Sequence, residues 1–319
     1  MVYALLKIYA RMALRIYCRH IRINAPEHLK RNGPLLLAAN HPNSFLDGII
    51  LTTLFDNDIY SLARGDAFKH KKVNRFLRWL RLLPVYRTSE GVANLEHNYT
   101  TFAACQKTFE KGGIVLIFSE GRCENEWHFR PLKKGTARLA ITAWKKGIPL
   151  QVVPVAFNYS SFKKFGKTVH IDFGETITAE SIDRTAITSK QLLQFNEQLQ
   201  QQLAPRIYEI DANNKASVQQ HFRRNKSRLF YAVLLLPALF GWLMHAPLFF
   251  PLKSFTHYRF RNSGHYDSVL HSLLMLAYPP YLLLLFFIAF SFCGWYALLV
   301  FIVLPFTAWA WVQWSEVLE

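Results

Sequence analysis

Residues 269–292 and 295–314 contain no Asp, Glu, Lys or Arg. Each is about as long as the 20-residue helix that crosses the hydrocarbon core of a bilayer. Trp309, Trp311 and Trp314 fall at the end of the second stretch, where indole rings suit the membrane–water boundary. A third apolar stretch, 229–252, carries Pro237, Gly241, Pro247 and Pro251. It is long enough to span, but its prolines also permit a kinked or re-entrant pair of short helices. Arg223, Arg224, Lys226 and Arg228 precede it, and Lys253, Arg259 and Arg261 follow it. The positive-inside rule puts both flanks on one side of a membrane, which favours the re-entrant form.

Charge divides the chain in the same place. The whole sequence of 319 residues has a formal net charge of +17. From Leu229 onward three bases balance three acids, so all of the excess lies in residues 1–228. A basic body ahead of a neutral, apolar tail suits anionic headgroups or phosphorylated substrates. Nucleic acid is not expected as a partner: no helix-turn-helix, zinc-finger or RNA-binding signature is present. Cys18, Cys105, Cys123 and Cys293 are scattered, without a C-x-x-C pair, and imply neither a disulfide framework nor a zinc site.

Lys7, Arg11, Arg15, Arg19 and Arg22 recur every three or four positions. Residues 1–25 therefore read as a basic amphipathic helix at a membrane interface. Bases run through the whole segment, unlike a secretory signal. From residue 33 to 174, strand-like apolar runs (35–39, 59–62, 82–86, 114–118, 150–157, 169–173) alternate with helix-like segments (44–55, 71–80, 95–111, 135–146). That alternation is the pattern of an α/β domain with a largely buried sheet. Residues 26–228 form this domain and 229–319 a membrane module with two or three apolar helical segments.

Directly after the run 35–39 comes Asn40-His41-Pro42-Asn43-Ser44-Phe45-Leu46-Asp47. Pro42 pushes His41 out of the helical region, into a turn before the next helix. Asp47 falls in the first turn of that helix. From there its carboxylate can accept from Nδ1–H of His41 and leave Nε2 free to take a proton from a hydroxyl. Ser44-x-x-Asp47 is equally a capping box, with the acid bonding the N-cap amide. Further along, Arg87 follows the run 82–86, and Phe118-Ser119-Glu120-Gly121-Arg122 ends the strongest strand. Lys133 stands at the start of a helix whose amino end favours an anion. Arg87, Arg122 and Lys133 suit a phosphate, the arginines in bidentate fashion.

In these residues the chain resembles the glycerolipid acyltransferases of phosphatidic-acid synthesis. Their four ordered motifs are N-H-x4-D, an arginine after an apolar strand, F-P-E-G-T-R, and an apolar V-P segment. The counterparts are Asn40-His41 with Asp47; Pro84-Val85-Tyr86-Arg87; Phe118-Ser119-Glu120-Gly121-Arg122; and Val153-Pro154-Val155. The likeness covers residues 30–175. Two features depart from it. His41 and Asp47 are separated by five residues, and the extra one must be absorbed before the helix, since inside it Asp47 would rotate by about 100°. The longer spacing is similar to that of membrane glycerol-3-phosphate acyltransferases. In the third motif Ser119 replaces proline and Arg122 directly follows Gly121, so Arg130 is a second candidate for the family arginine.

The resemblance implies an acyltransferase-type α/β domain with a mixed central sheet, followed by C-terminal transmembrane helices. It implies O-acyl transfer from a thioester, on coenzyme A or acyl carrier protein, to glycerol 3-phosphate or 1-acylglycerol 3-phosphate. His41 is then the base and Asp47 its support, while Arg87, Glu120, Gly121, Arg122 and Lys133 place the acceptor. No metal or further cofactor is called for. The expected partners are membrane lipids, the acyl thioester and the phosphorylated glycerol. The expected location is the membrane, with the catalytic domain on the cytoplasmic face. Two other readings stand beside this one: transfer to a different lysolipid, and a non-catalytic lipid-binding protein on the same fold. A serine hydrolase is disfavoured because the chain has no G-x-S-x-G.

Overall fold

The computed structural model describes residues 2–86, 92–183, 185–211 and 213–318. Seven strands form one sheet: β1 (Cys18–Ile23), β2 (Leu35–Ala39), β3 (Ile59–Arg64), β4 (Leu82–Val85), β5 (Ile114–Phe118), β6 (Gln151–Tyr159) and β7 (Lys167–Phe173). Their order is β1-β7-β6-β2-β5-β3-β4. Every pair is parallel except β6 with β7. The sheet is therefore mixed, as the motifs implied.

β2 lies at its centre and is buried throughout. A continuous apolar run suits this place, because both faces of the strand are covered. Leu35, Leu37 and Ala39 pack with α1 (Val2–Tyr17) and α2 (Ser44–Leu54). Leu36 and Ala38 face α4 (Val92–Glu110), α5 (Lys134–Lys145) and α6 (Thr188–Leu203). Each buried leucine contributes about 1.5–3 kcal/mol. A short α3 (Lys71–Trp79) precedes β4, and α7 (Lys215–Phe222) leads to the carboxyl-terminal module.

The amino terminus differs from the helix expected over residues 1–25. The helix stops at Tyr17, and the next six residues enter the sheet as β1, parallel to β7. Arg19 and Arg22 thus belong to a strand, in which His20, Ile21, Arg22 and Ile23 alternate polar with apolar. Two of the helical bases serve the protein itself. Arg11 Nε donates to Thr53 O at 2.7 Å and Lys7 Nζ to Asn57 O at 2.9 Å. They meet the unpaired carbonyls at the negative end of α2 and just beyond it. Val2, Leu5, Ile8 and Met12, each more than half exposed, make the outer face of α1 apolar up to Arg15 in its last turn.

The carboxyl-terminal module consists of α8 (Arg228–Phe260), α9 (Tyr266–Cys293) and α10 (Val300–Trp314). α8 is one 33-residue helix. Its three prolines do not divide it into the pair of short helices that the sequence allowed, because packing on α9 and α10 supports the interrupted ladder. A Cβ on Gly241 would lie 2.2 Å from Thr307 O, so α8 and α10 cross backbone to backbone. Both flanks of α8 touch the α/β domain. Arg224 Nη1 reaches Arg19 O, and Lys163 Nζ donates to Arg261 O at 3.1 Å. Residues 228–260 and 266–318 are long and apolar enough to cross a membrane, and only 17% and 11% of their most apolar windows is buried. Helices so little buried are not the core of a soluble domain.

Candidate active site

β2 and β5 are parallel neighbours, so their carboxyl ends deliver Asn40-His41 and Ser119-Glu120 side by side. The chain leaves β2 for α2 on one face of the sheet and reaches α5 on the other after β5. Such a divergence opens a crevice beyond the strand ends. Asn40 anchors the start of the turn across the sheet: its side chain donates to Phe157 O and accepts from Phe157 N–H at 2.7 Å.

His41 Nδ1 lies 2.9 Å from Asp47 Oδ2. The Asp47 side chain is wholly buried. Its Oδ2 also accepts from Asn43 N–H at 2.9 Å, and its Oδ1 from the Tyr159 hydroxyl at 2.6 Å. One Asp47 oxygen thus contacts both the imidazole and the N-cap amide, although the Ser44-x-x-Asp47 capping box itself does not form. The N-cap is Asn43, and Ser44, the first residue of α2, has φ +52°. Ser44 N–H meets Cys123 Sγ at 2.8 Å. The imidazole stacks on Phe118, with ring centroids 3.7 Å apart. With Nδ1–H given to Asp47, the lone pair on Nε2 is free to accept a proton.

Glu120 ties this turn to the third motif. Its Oε2 accepts from His41 N–H at 3.0 Å and its Oε1 from Arg130 N–H at 3.3 Å. Gly121 follows with φ +73°, and a Cβ there would meet Lys133 Cγ at 2.9 Å, so the turn requires glycine. Lys133 N–H donates to Ser119 O at 2.8 Å and starts α5. Glu120, Arg122, Arg130, Pro131 and Lys133 line a cavity of about 380 Å³. Arg122 and Lys133 thus share one wall with Arg130, the second candidate arginine. Arg122 is half exposed, 3.5 Å from Glu124. Arg87 lies outside the described residues.

Burial pushes the Glu120 carboxyl up to about 7, against the lowering pull of the two amides that it accepts from; the Asp47 carboxylate adds to the rise. A partly protonated Glu120 repels an anion less than a full carboxylate would. The folded state keeps a proton that the unfolded chain loses near pH 4.5. The stability this gives is complete below that value and is lost as pH rises through about 7. Wild type should therefore lose on the order of 2–3 kcal/mol relative to Glu120→Gln between about pH 5 and about pH 8. Unfolding of both proteins at the two pH values measures this, and parallel curves refute it.

A larger cavity, about 490 Å³, lies away from His41, between α1 and the three module helices. Met12, Ile16, Phe249, Leu274, Leu282 and Phe301 are among its apolar walls.

Tyr159 and Asn43 complete the surroundings of Asp47; the sequence offered Asn43 only as a cap and did not single out Tyr159. The signal for Tyr159 was there: β6 continues past Phe157, with every residue after Gln151 buried.

Residues 20–158 match the model of the Acyltransferase family. The ordered motifs fall within this stretch, so the match and the motifs both support an α/β domain of the acyltransferase type. Among solved structures, the crystal structure of the 1-acyl-sn-glycerophosphate (LPA) acyltransferase PlsC from Thermotoga maritima aligns with a TM-score of 0.43 and 14% identity. The alignment covers 65% of this chain and 81% of that one. No curated protein matches the chain.

Proposed function

We propose that the protein transfers a fatty acyl group from an acyl thioester to a hydroxyl of glycerol 3-phosphate or 1-acylglycerol 3-phosphate at a membrane surface. The observation that carries this reading is the His41–Asp47 pair joined, through Glu120, to a cavity with three cationic side chains. His41 Nε2 takes the acceptor proton as the hydroxyl oxygen bonds to the thioester carbonyl carbon. The tetrahedral intermediate then expels the thiolate, which takes the proton back from His41. Asp47 offsets the positive charge on the imidazolium between these steps. Arg122, Arg130 and Lys133 hold the acceptor phosphate, with Arg87 from the second motif. The module and the apolar face of α1 lie in lipid, with the α/β domain on the cytoplasmic face.

The test is full-length protein in lipid nanodiscs, given labelled acyl-coenzyme A or acyl carrier protein with each acceptor in turn. Glycerol 3-phosphate, 1-acylglycerol 3-phosphate, lysophosphatidylcholine and free glycerol form the set. Transfer is expected to one or both phosphomonoesters. Transfer only to acceptors lacking that group, or to none of the four, would refute the reading.

A further inference from the structure

We infer that the amino end of α9 belongs to the catalytic apparatus: Asp267 and Ser268, with His265 ahead of them, are positioning residues for the turn that carries His41 and Asp47. This rests on the reading of that pair as the base and its support.

The turn needs outside support. Ser44 has φ +52°, a left-handed conformation that costs a non-glycine residue roughly 1–2 kcal/mol. Such backbone persists only where surrounding contacts over-determine it. The required contacts come from the module. Asn43 Nδ2 donates to Asp267 Oδ2 at 2.6 Å. The Ser268 hydroxyl donates to Asn43 O at 3.1 Å and accepts from Leu46 N–H at 3.0 Å. Ser44 Oγ lies 2.5 Å from His265 Nδ1. Asn43 is thus held from two directions, its N–H by Asp47 and its carbonyl and side chain by α9. Any shift of Asn43 moves a hydrogen bond that Asp47 shares with His41 on the same oxygen.

The clamp is itself fixed to the sheet. Asp267 Oδ1 takes hydrogen bonds from Lys167 Nζ on β7 and from the Tyr17 hydroxyl at the end of α1. The Lys167 and Asp267 side chains are 0% and 1% exposed. A buried ion pair is a poor source of net stability, because desolvation offsets most of the attraction. Its value here is geometric: it sets the height of α9 against β7, and so the place of the Asn43 contact. Three elements far apart in sequence meet at one carboxylate, next to the base. The α/β domain alone does not contain a complete base site.

The experiment separates this role from simple folding. Two double variants of the full chain in nanodiscs both remove the buried charges. Lys167→Met/Asp267→Asn keeps an acceptor for Asn43, whereas Lys167→Met/Asp267→Leu does not. The Leu variant should lose about 10–100-fold in kcat with both KM values within about twofold, and the Asn variant should recover most of that loss. Ser268→Ala should lower kcat by about tenfold in a protein that still folds, with the unfolding temperature reduced because Leu46 N–H and Asn43 O lose that partner. His41→Ala is run alongside. If it transfers acyl groups at the wild-type rate, the base reading has failed. If it is inactive while the two double variants have equal kcat and Ser268→Ala matches wild type, the positioning role is overturned. Should the Leu variant not fold, Ser268→Ala decides alone: a tenfold fall in kcat upholds the role, and a wild-type kcat ends it.

Discussion

Replacing His41 with alanine should lower kcat for acyl transfer by about 10²–10⁴-fold and leave both KM values within about twofold. The imidazole contributes in the transition state, where it holds the acceptor proton, and makes no contact that the ground state needs more. Its ring is stacked on Phe118 but remains 16% exposed, so its removal opens a small space at the edge of the crevice, not a hole in the core. The backbone at this position keeps its own anchors, since His41 N–H still reaches Glu120 and His41 O still accepts from Glu124 N–H. Stability should therefore change little. A variant with kcat within a few-fold of wild type would remove His41 from the chemistry and leave the turn a structural motif.

Asp47→Asn should lower kcat by about 10²–10³-fold in a protein that still folds. The geometry explains why folding survives. One carboxylate oxygen accepts from both His41 and Asn43, and the other accepts only from the Tyr159 hydroxyl. An amide oxygen can occupy the first position. The amide NH₂ then meets Tyr159, whose hydroxyl can turn to accept. What is lost is the negative charge that offsets the imidazolium, in a fully buried place where charge acts with little screening. Asp47→Ala should be worse in a different way. It leaves Tyr159 O–H and Asn43 N–H without partners, at about 1–3 kcal/mol each. Comparing kcat and unfolding temperature for the two variants separates the electrostatic role from the structural one. An Asn variant with near-native kcat would sink the electrostatic role.

Much of the fold could be seen in the sequence, because each buried parallel strand is a contiguous apolar run. β2 and β5 match those runs residue for residue, and β3, β4, β6 and β7 differ only at their ends. β1 was missed for a physical reason. Bases at intervals of three or four continue from α1 into the strand, so a helical period overlies the two-residue one, and the partner that decides, β7, lies about 150 residues away. The continuous α8 was only one of two open forms because proline is weighed locally, whereas the packing that tolerates it comes from α9 and α10. In the site, the meeting of His41, Asp47, Glu120 and Gly121 was legible because His41, Glu120 and Gly121 follow the ends of adjacent strands and Asp47 lies in the first turn of the helix after His41. Arg130 entered only as a substitute for a misaligned arginine, and the structure puts it beside Arg122 and Lys133. Asp267 and Ser268 could not be found this way, since no periodicity links them to a turn 224 residues earlier.

Both flanks of α8 rest on the α/β domain, one through Arg224 and the other through Arg261. A domain hung from a membrane by one flexible tether samples many heights and tilts. A domain held at two points about 50 Å apart along a helix has one height and one tilt. Under the proposed function, the distance from the base to the bilayer is then a constant of the molecule. A water-soluble headgroup and a lipid-dissolved chain can meet at a fixed depth without either leaving its own phase.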